Sequence, residues 1–136
     1  MIGLMSDAEI DALLARHHVG RLGCTANDRP YIVPINYVYD GASIYCYSAP
    51  GRKIDVMREQ PLVAFQVDEI ESDSSWRSVV IEGRYQELSG REREAAIGRI
   101  ANDNGLVARS LSSIDRIVVY RIKLDARSGR FEARDS

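Results

Sequence analysis

Along most of the chain apolar residues alternate with polar ones, and only short stretches place them at helical spacing. The first such stretch covers residues 6–17, where Ser6 and Glu9 form a capping-box pattern and Ile10, Leu13, Leu14 and His17 share one face. Asp7, Asp11 and Arg16 belong on its wet side. At Val19 the period changes to that of a strand, VGRLGCTA, in which Gly20 and Gly23 leave space for close neighbours. Asn27, Asp28, Arg29 and Pro30 then turn the chain.

The second strand, Tyr31 to Tyr39, carries Tyr31, Val33, Ile35, Tyr37 and Tyr39 on one face and Ile32, Pro34, Asn36 and Val38 on the other. Both faces are largely apolar, so neither is expected to lie wholly in water. Pro34 lacks a ladder donor and marks an edge, a bulge or a place where the backbone faces a ligand. Asn36 is the polar handle beside it, available either to a ligand or to its own sheet.

Asp40-Gly41 predicts a hairpin into Ser43–Tyr47. Ser48 then reads as the N-cap of a short helix with Pro50 in its first turn, and Pro61 ends that helix. Leu62–Val67 follows as a strand, and the acidic, serine-rich run DEIESDSSW reads as an exposed loop. A long strand from Trp76 reaches the region of Leu88, with Gly83 in its interior. A second capping box, Ser89 with Glu92, opens a helix to the region of Ala101 that buries Ala96, Ile97 and Ile100, and Asn102 to Gly105 stops it. Leu106 to Ser113 suits a short helical piece. The last strand is expected over Arg116 to Leu124, and residues 126–136 as a loose polar tail. Six strands joined mostly by hairpins, with two or three short helices outside, favour a small antiparallel barrel.

The chain has 136 residues and a formal charge of −2, which fits one domain and argues against nucleic acid or an anionic membrane surface as partner. No apolar run approaches the ~20 residues that span a bilayer, and Met1 to Met5 has no basic or long apolar leader, so a cytosolic protein is expected. Cys24 and Cys46 sit within strands and read as buried free thiols. His17 and His18 are adjacent, point different ways and suit the end of a helix better than a metal site.

One stretch breaks the pattern of simple structure. Around Gly51, Arg52 and Lys53 two cations fall where a helix exposes unpaired N–H groups and partial positive charge. Each would cost about 0.3–1 kcal/mol against the dipole, unless an anion such as phosphate binds there.

The segments VGRLGCT, RPYIVPINYVYDGASIYCYSAPGRKID, SSWRSVVIEGRYQEL and VVYRIKL, in this order, resemble the FMN-binding split β-barrel family related to pyridoxamine 5′-phosphate oxidase. Within it, the chain is most similar to the nitroimidazole-resistance group, through the P-x-N-Y strand and the S-A-x-G-x-K turn. The resemblance implies a six-stranded Greek-key barrel forming a homodimer, with FMN at the subunit interface. It implies Val33, Pro34, Ile35 and Asn36 along the flavin ring and Ser48, Arg52 and Lys53 at its phosphate. It also brings Trp76 and Ser78 to the cofactor from the partner subunit. That group commonly has His where this chain has Tyr47, the one candidate for a catalytic side chain. The implied activity is an FMN-dependent oxidoreductase acting on a small planar substrate, with NADH or NADPH as possible reductant. The alternative is a flavin or haem carrier or sensor without catalysis.

Overall fold

Residues 1–103 and 117–134 are described by a computed structural model. In chain order the elements are β1 (Ile2–Leu4), α1 (Asp7–Arg16), β2 (Val19–Ala26), β3 (Arg29–Asn36), β4 (Val38–Tyr39) and β5 (Ser43–Ser48). They continue with α2 (Arg52–Glu59), β6 (Leu62–Ser72), β7 (Ser75–Glu87), α3 (Gly90–Asp103) and β8 (Val118–Glu132).

The strands form one antiparallel sheet in the order β3-β2-β6-β7-β8-β5-β4, with β1 added along β8. β3 and β4 lie at opposite ends of this order, yet Tyr37 alone separates them in the chain. A residue spans under ~4 Å, so the sheet has to curl until its two ends meet. The result is a split barrel, open along the seam between β3 and the β4–β5 hairpin. Tyr37 fixes the corner: its N–H bonds the His18 carbonyl at 2.9 Å and its hydroxyl donates to the Leu14 carbonyl at 2.7 Å. Its ring meets Phe65 edge-on, with centroids 5.0 Å apart.

The inward side chains alternate along each strand, as a sheet with one buried face requires. Leu22 and Cys24 of β2, Phe65 and Val67 of β6, Val79 and Ile81 of β7 and Tyr120 and Ile122 of β8 fill the barrel, joined by Leu13 and Leu14 of α1 and Ile54 and Met57 of α2. Full burial of each such aliphatic chain contributes about 1.5–3 kcal/mol. On the other side of β5 and β8, Tyr45 and Val119 pack under Ala96 and Ile100 of α3, so β5 is buried on both faces.

α1 and β2 form as the sequence predicts, including the reciprocal Ser6–Glu9 cap, with the Ser6 hydroxyl accepting from the Glu9 N–H at 3.2 Å. Asn27 and Asp28 both take positive φ, 51° and 62°, and make the tight β2–β3 hairpin turn. Both cysteines are free and buried.

Several expectations are corrected. Ser48 does not cap α2. It ends β5, its hydroxyl donates to the Ala49 carbonyl, and Gly51 holds the N-cap position without any side-chain cap. The expected second strand breaks at Tyr37 into β3 and β4, and β1 adds a strand, which makes eight among the described residues in place of six. The run from Asp68 to Trp76 is no loop. It continues β6 and β7 to a turn at Asp73-Ser74, because ladder pairing reaches Ser72 and Ser75 and satisfies the backbone whatever the side chains prefer. Residues 126–132 are likewise no tail. They extend β8, paired to β7 as far as Glu132 and to β1. The expected helical piece at 106–113 and the start of the last strand at Arg116 lie outside the described residues.

Candidate functional site at the barrel seam

β3 is a terminal strand, so one of its backbone edges has no ladder partner, and Pro34 in it is explained by that position. β5 leads directly into α2 across the seam. The two sides meet where the Arg52 guanidinium lies over the Tyr31 ring, 4.9 Å from its centroid. Arg52 and Lys53 are the first two residues of α2, as the sequence suggested, although the helix starts later than Ser48 would have placed it.

The electrostatics at this end are unbalanced. Gly51 leaves the first N–H groups of α2 without a side-chain acceptor. Several cations elsewhere are paired: Arg16 binds Glu69 at 2.7 Å, Arg58 binds Glu87 at 2.8 Å and Arg121 binds Glu92 at 3.2 Å, whereas others, such as Arg84 and Lys123, have no carboxylate partner among the described residues. Among the described residues, Arg52 and Lys53 have no carboxylate within ion-pair distance, and Lys53 is half-buried. The first turn of α2 thus carries two cations without an ion-pair partner, together with one carboxylate, Asp55.

The side chains of β3 alternate across the sheet. Val33 and Ile35 turn inward to the core, whereas Pro34 and Asn36 lie on the exposed outer face. Register places Pro34 opposite Arg21, Arg21 opposite Gln66 and Gln66 opposite Val80, so Ser78, two residues from Val80, shares that outer face. Gln66 donates to Ser78 at 3.1 Å and to Asp68 at 2.9 Å. Trp76 is held by its indole N–H to Glu132 at 3.0 Å. Asn36 and Ser78 are thus three strand spacings apart, about 14 Å, and do not converge within one chain.

Tyr47 and Asn36 do come together. With His18, Tyr37, Val38 and Tyr45 they line a cavity of about 10 Å³, space for about one water. The sequence reading did not single out His18 for this site. The signal was the adjacency of two histidines at a helix-to-strand junction: His17 turns to Glu69, and His18 lines the Asn36 cavity. Among the described residues no group of three or more His, Cys, Asp or Glu side chains could hold a metal ion, and no helix is long and apolar enough to cross a membrane.

An antiparallel barrel opened along one seam defines the split-barrel class. The chain belongs to the pyridoxamine 5′-phosphate oxidase family, whose sequence model matches residues 6–131. A FAD-binding protein from Mesorhizobium loti is 33% identical and superimposes with a TM-score of 0.81 over 98% of both chains. A protein from Bacteroides thetaiotaomicron assigned to 5-nitroimidazole antibiotic resistance shares the fold, with a TM-score of 0.77 at 17% identity over 99% of this chain and 92% of that one. An uncharacterised protein of Rhizobium meliloti (strain 1021) is 47% identical over 87 residues, which span 64% of this chain and 58% of that relative.

Proposed function

We propose that the protein is a flavin-dependent oxidoreductase that acts on a small planar substrate as a homodimer, with the flavin phosphate held by Arg52, Lys53 and the first N–H groups of α2. The carrying observation is the half-buried Lys53 beside Arg52 at an uncapped helix start, without a carboxylate partner among the described residues. A phosphate resolves that imbalance with charge-assisted hydrogen bonds. The donor set fits a phosphorylated flavin, FMN or FAD, better than riboflavin. Ser48, at the end of β5, retains acceptor capacity at the same corner. A bound flavin supplies hydride or electron transfer. The chain's own residues orient it: the free edge of β3 offers backbone donors and acceptors to a polar ring edge, and Asn36 and Tyr47 flank the place where a substrate would lie.

The outer sheet face supports the dimer. Ile32 is 69% and Leu62 55% exposed on this face, with Pro34 next to Ile32 on it and Val80, 42% exposed, farther across the sheet, apolar surface that a second copy would cover. In such a dimer the partner's β7 would bring Trp76 and Ser78 to β3, which their 14 Å separation within one chain requires if both sets are to touch one ring.

The visible spectrum of the purified protein tests this reading. Flavin bands, or uptake of added flavin by colourless protein, are expected, together with a dimer mass by light scattering. Protein that stays colourless and takes up no flavin overturns it. Flavin that binds but is reduced by neither NADH nor NADPH would favour a carrier or sensor over an oxidoreductase.

A further inference from the structure

At the Tyr37 corner the α1–β2 junction, β3, β5 and α3 meet around the small notch lined by His18, Asn36, Tyr45, Tyr47 and Ile100. Its volume, about 10 Å³, takes one oxygen atom and no ring. We propose that this notch seats an oxygen of the substrate, that His18 gives that oxygen its proton, and that the substrate is a planar α,β-unsaturated carbonyl compound. This rests on the flavin oxidoreductase reading and names the substrate class of that same site.

The walls have the chemistry of an oxygen seat. The Tyr37 hydroxyl is engaged by the Leu14 carbonyl, and Tyr45 interacts with the Asp40 carboxylate. The side chains of Asn36 and Tyr47, by contrast, make no hydrogen bond among the described residues, so an amide N–H and a phenol O–H are at hand to donate. None of the described lining residues is a carboxylate, and the Arg99 guanidinium lies over the Tyr45 ring, 5.5 Å from its centroid. Such surroundings favour negative charge developing on an oxygen. The seat is also held from behind: the Tyr37 N–H bonds the His18 carbonyl at 2.9 Å, and Val19 pairs with Asn36.

The reaction follows from the seat. The β-carbon of the conjugated carbonyl takes up a hydride from the reduced flavin, and the C=C electron pair moves to the oxygen in the notch. An N–H bond of the His18 imidazolium then breaks as the O–H bond of the enol forms. The enol relaxes to the saturated carbonyl, and solvent returns a proton to His18. Imidazole suits this role because it gives and regains a proton near neutral pH. A nitro group would bring two oxygens to a one-atom seat, and an ammonium group would bring donors to donors.

The test uses flavin-loaded native protein, His18→Ala and His18→Gln, with flavin fluorescence showing that all three hold the cofactor equally. His18 is exposed, so neither change should disturb the fold. Fluorine NMR titrations with 4-fluorophenol and fluorobenzene compare a ring that carries an oxygen with one that does not. The phenol is expected to bind the native chain about tenfold tighter, the value of one good hydrogen bond. That margin should shrink in His18→Ala and survive in His18→Gln, which still offers an N–H. Reoxidation of the photoreduced flavin by 2-cyclohexen-1-one, without air, should slow about a hundredfold or more in both variants, because Gln has no proton to give. Free imidazole should restore part of the rate to His18→Ala. Equal binding of the two rings by the native chain overturns the oxygen seat, and so does a native chain that does not reduce the enone; the flavin reading stands in either case. An unchanged rate in His18→Ala, or a loss that imidazole does not relieve, overturns the role of His18 as proton donor. Protein that takes up no flavin ends both this proposal and the reading beneath it.

Discussion

Arg127 of β8 donates to the Asp11 carboxylate of α1, and the same guanidinium nitrogen reaches the Tyr39 hydroxyl at 2.8 Å. Tyr39 in turn donates to Asp11 at 2.6 Å. Three elements far apart in sequence are thus tied at one point, on the stretch of β8 that composition presents as a tail. Arg127→Ala is expected to lower stability by about 1–2 kcal/mol, the value of a charged hydrogen bond discounted for partial exposure. Denaturant melts of Arg127→Ala, Asp11→Ala and the double variant measure it. Additive losses in that cycle would show that the two residues do not interact.

Acid should undo a second tie. Arg16 first, and then His17, hold the Glu69 carboxyl down to about 2, so the folded protein keeps this group ionised where the unfolded chain, near 4.5, has begun to protonate it. A depressed carboxyl contributes stability above its unfolded value and loses it as pH falls toward the folded value. The stability gap between the native chain and Glu69→Gln should be full above pH ~5 and close progressively down to pH ~2. Melts at pH 7, 4 and 2.5 follow it, and a gap independent of pH would refute the assignment.

Gly83 sits where β7 and β8 shift register, between the pairs Glu82–Ala126 and Gly83–Leu124. A Cβ there would lie 2.6 Å from the Lys123 carbonyl oxygen and 2.6 Å from Cγ2 of Ile122. One of these is backbone in the central ladder and cannot step aside cheaply. Gly83→Ala should destabilise by about 1–3 kcal/mol, whereas Gly98→Ala, in open space on α3, should be neutral or stabilising. Paired thermal melts compare the two.

Lys53→Ala, alone or with Arg52→Ala, should weaken binding of phosphorylated flavins by one to two powers of ten, about 1.5–3 kcal/mol, and leave riboflavin binding unchanged. The ligand-free protein should melt as before or slightly higher, because two cations are removed from the positive end of a helix. Wild-type affinity for FMN and FAD in the double variant would place the phosphate elsewhere.

Periodicity made α1, β2 and the β2–β3 hairpin legible, because each combines a clear pattern with its own stop signal, such as the Ser6 cap or the Asn27-Asp28 turn. It failed at the far ends of β6 and β8. There Glu69, Glu71, Arg127 and Arg130 look like solvent-facing loop, but backbone pairing and ion pairs such as Arg127–Asp11 hold a strand that side-chain hydropathy does not announce. The same limit applied at the site. Two cations at a helix start are visible in sequence, so the place of Arg52 and Lys53 as the first residues of α2 was legible. The choice between Ser48 and Gly51 as the cap depends on where β5 ends, which its ladder with β8 decides by pairing Ser48 with Val118. His18 was passed over because its role depends on where Tyr37 folds β4 back beside it.

The seam is closed by covalent chain at one end only. Tyr37 joins its two sides, whereas at the other end no chain crosses between the Asn27-Asp28 turn and α2, and contact is by side chains alone, among them Arg52 over Tyr31 and the buried Ile54, Val56 and Met57. The geometry is that of a clothes-peg. Thermal breathing of the seam pivots at Tyr37 and grows in amplitude toward the turn, so amide hydrogen exchange should quicken along β3 from Asn36 to Arg29. A ligand gripped near Arg52 would press on the jaws, not the spring, and flatten that gradient where it is steepest.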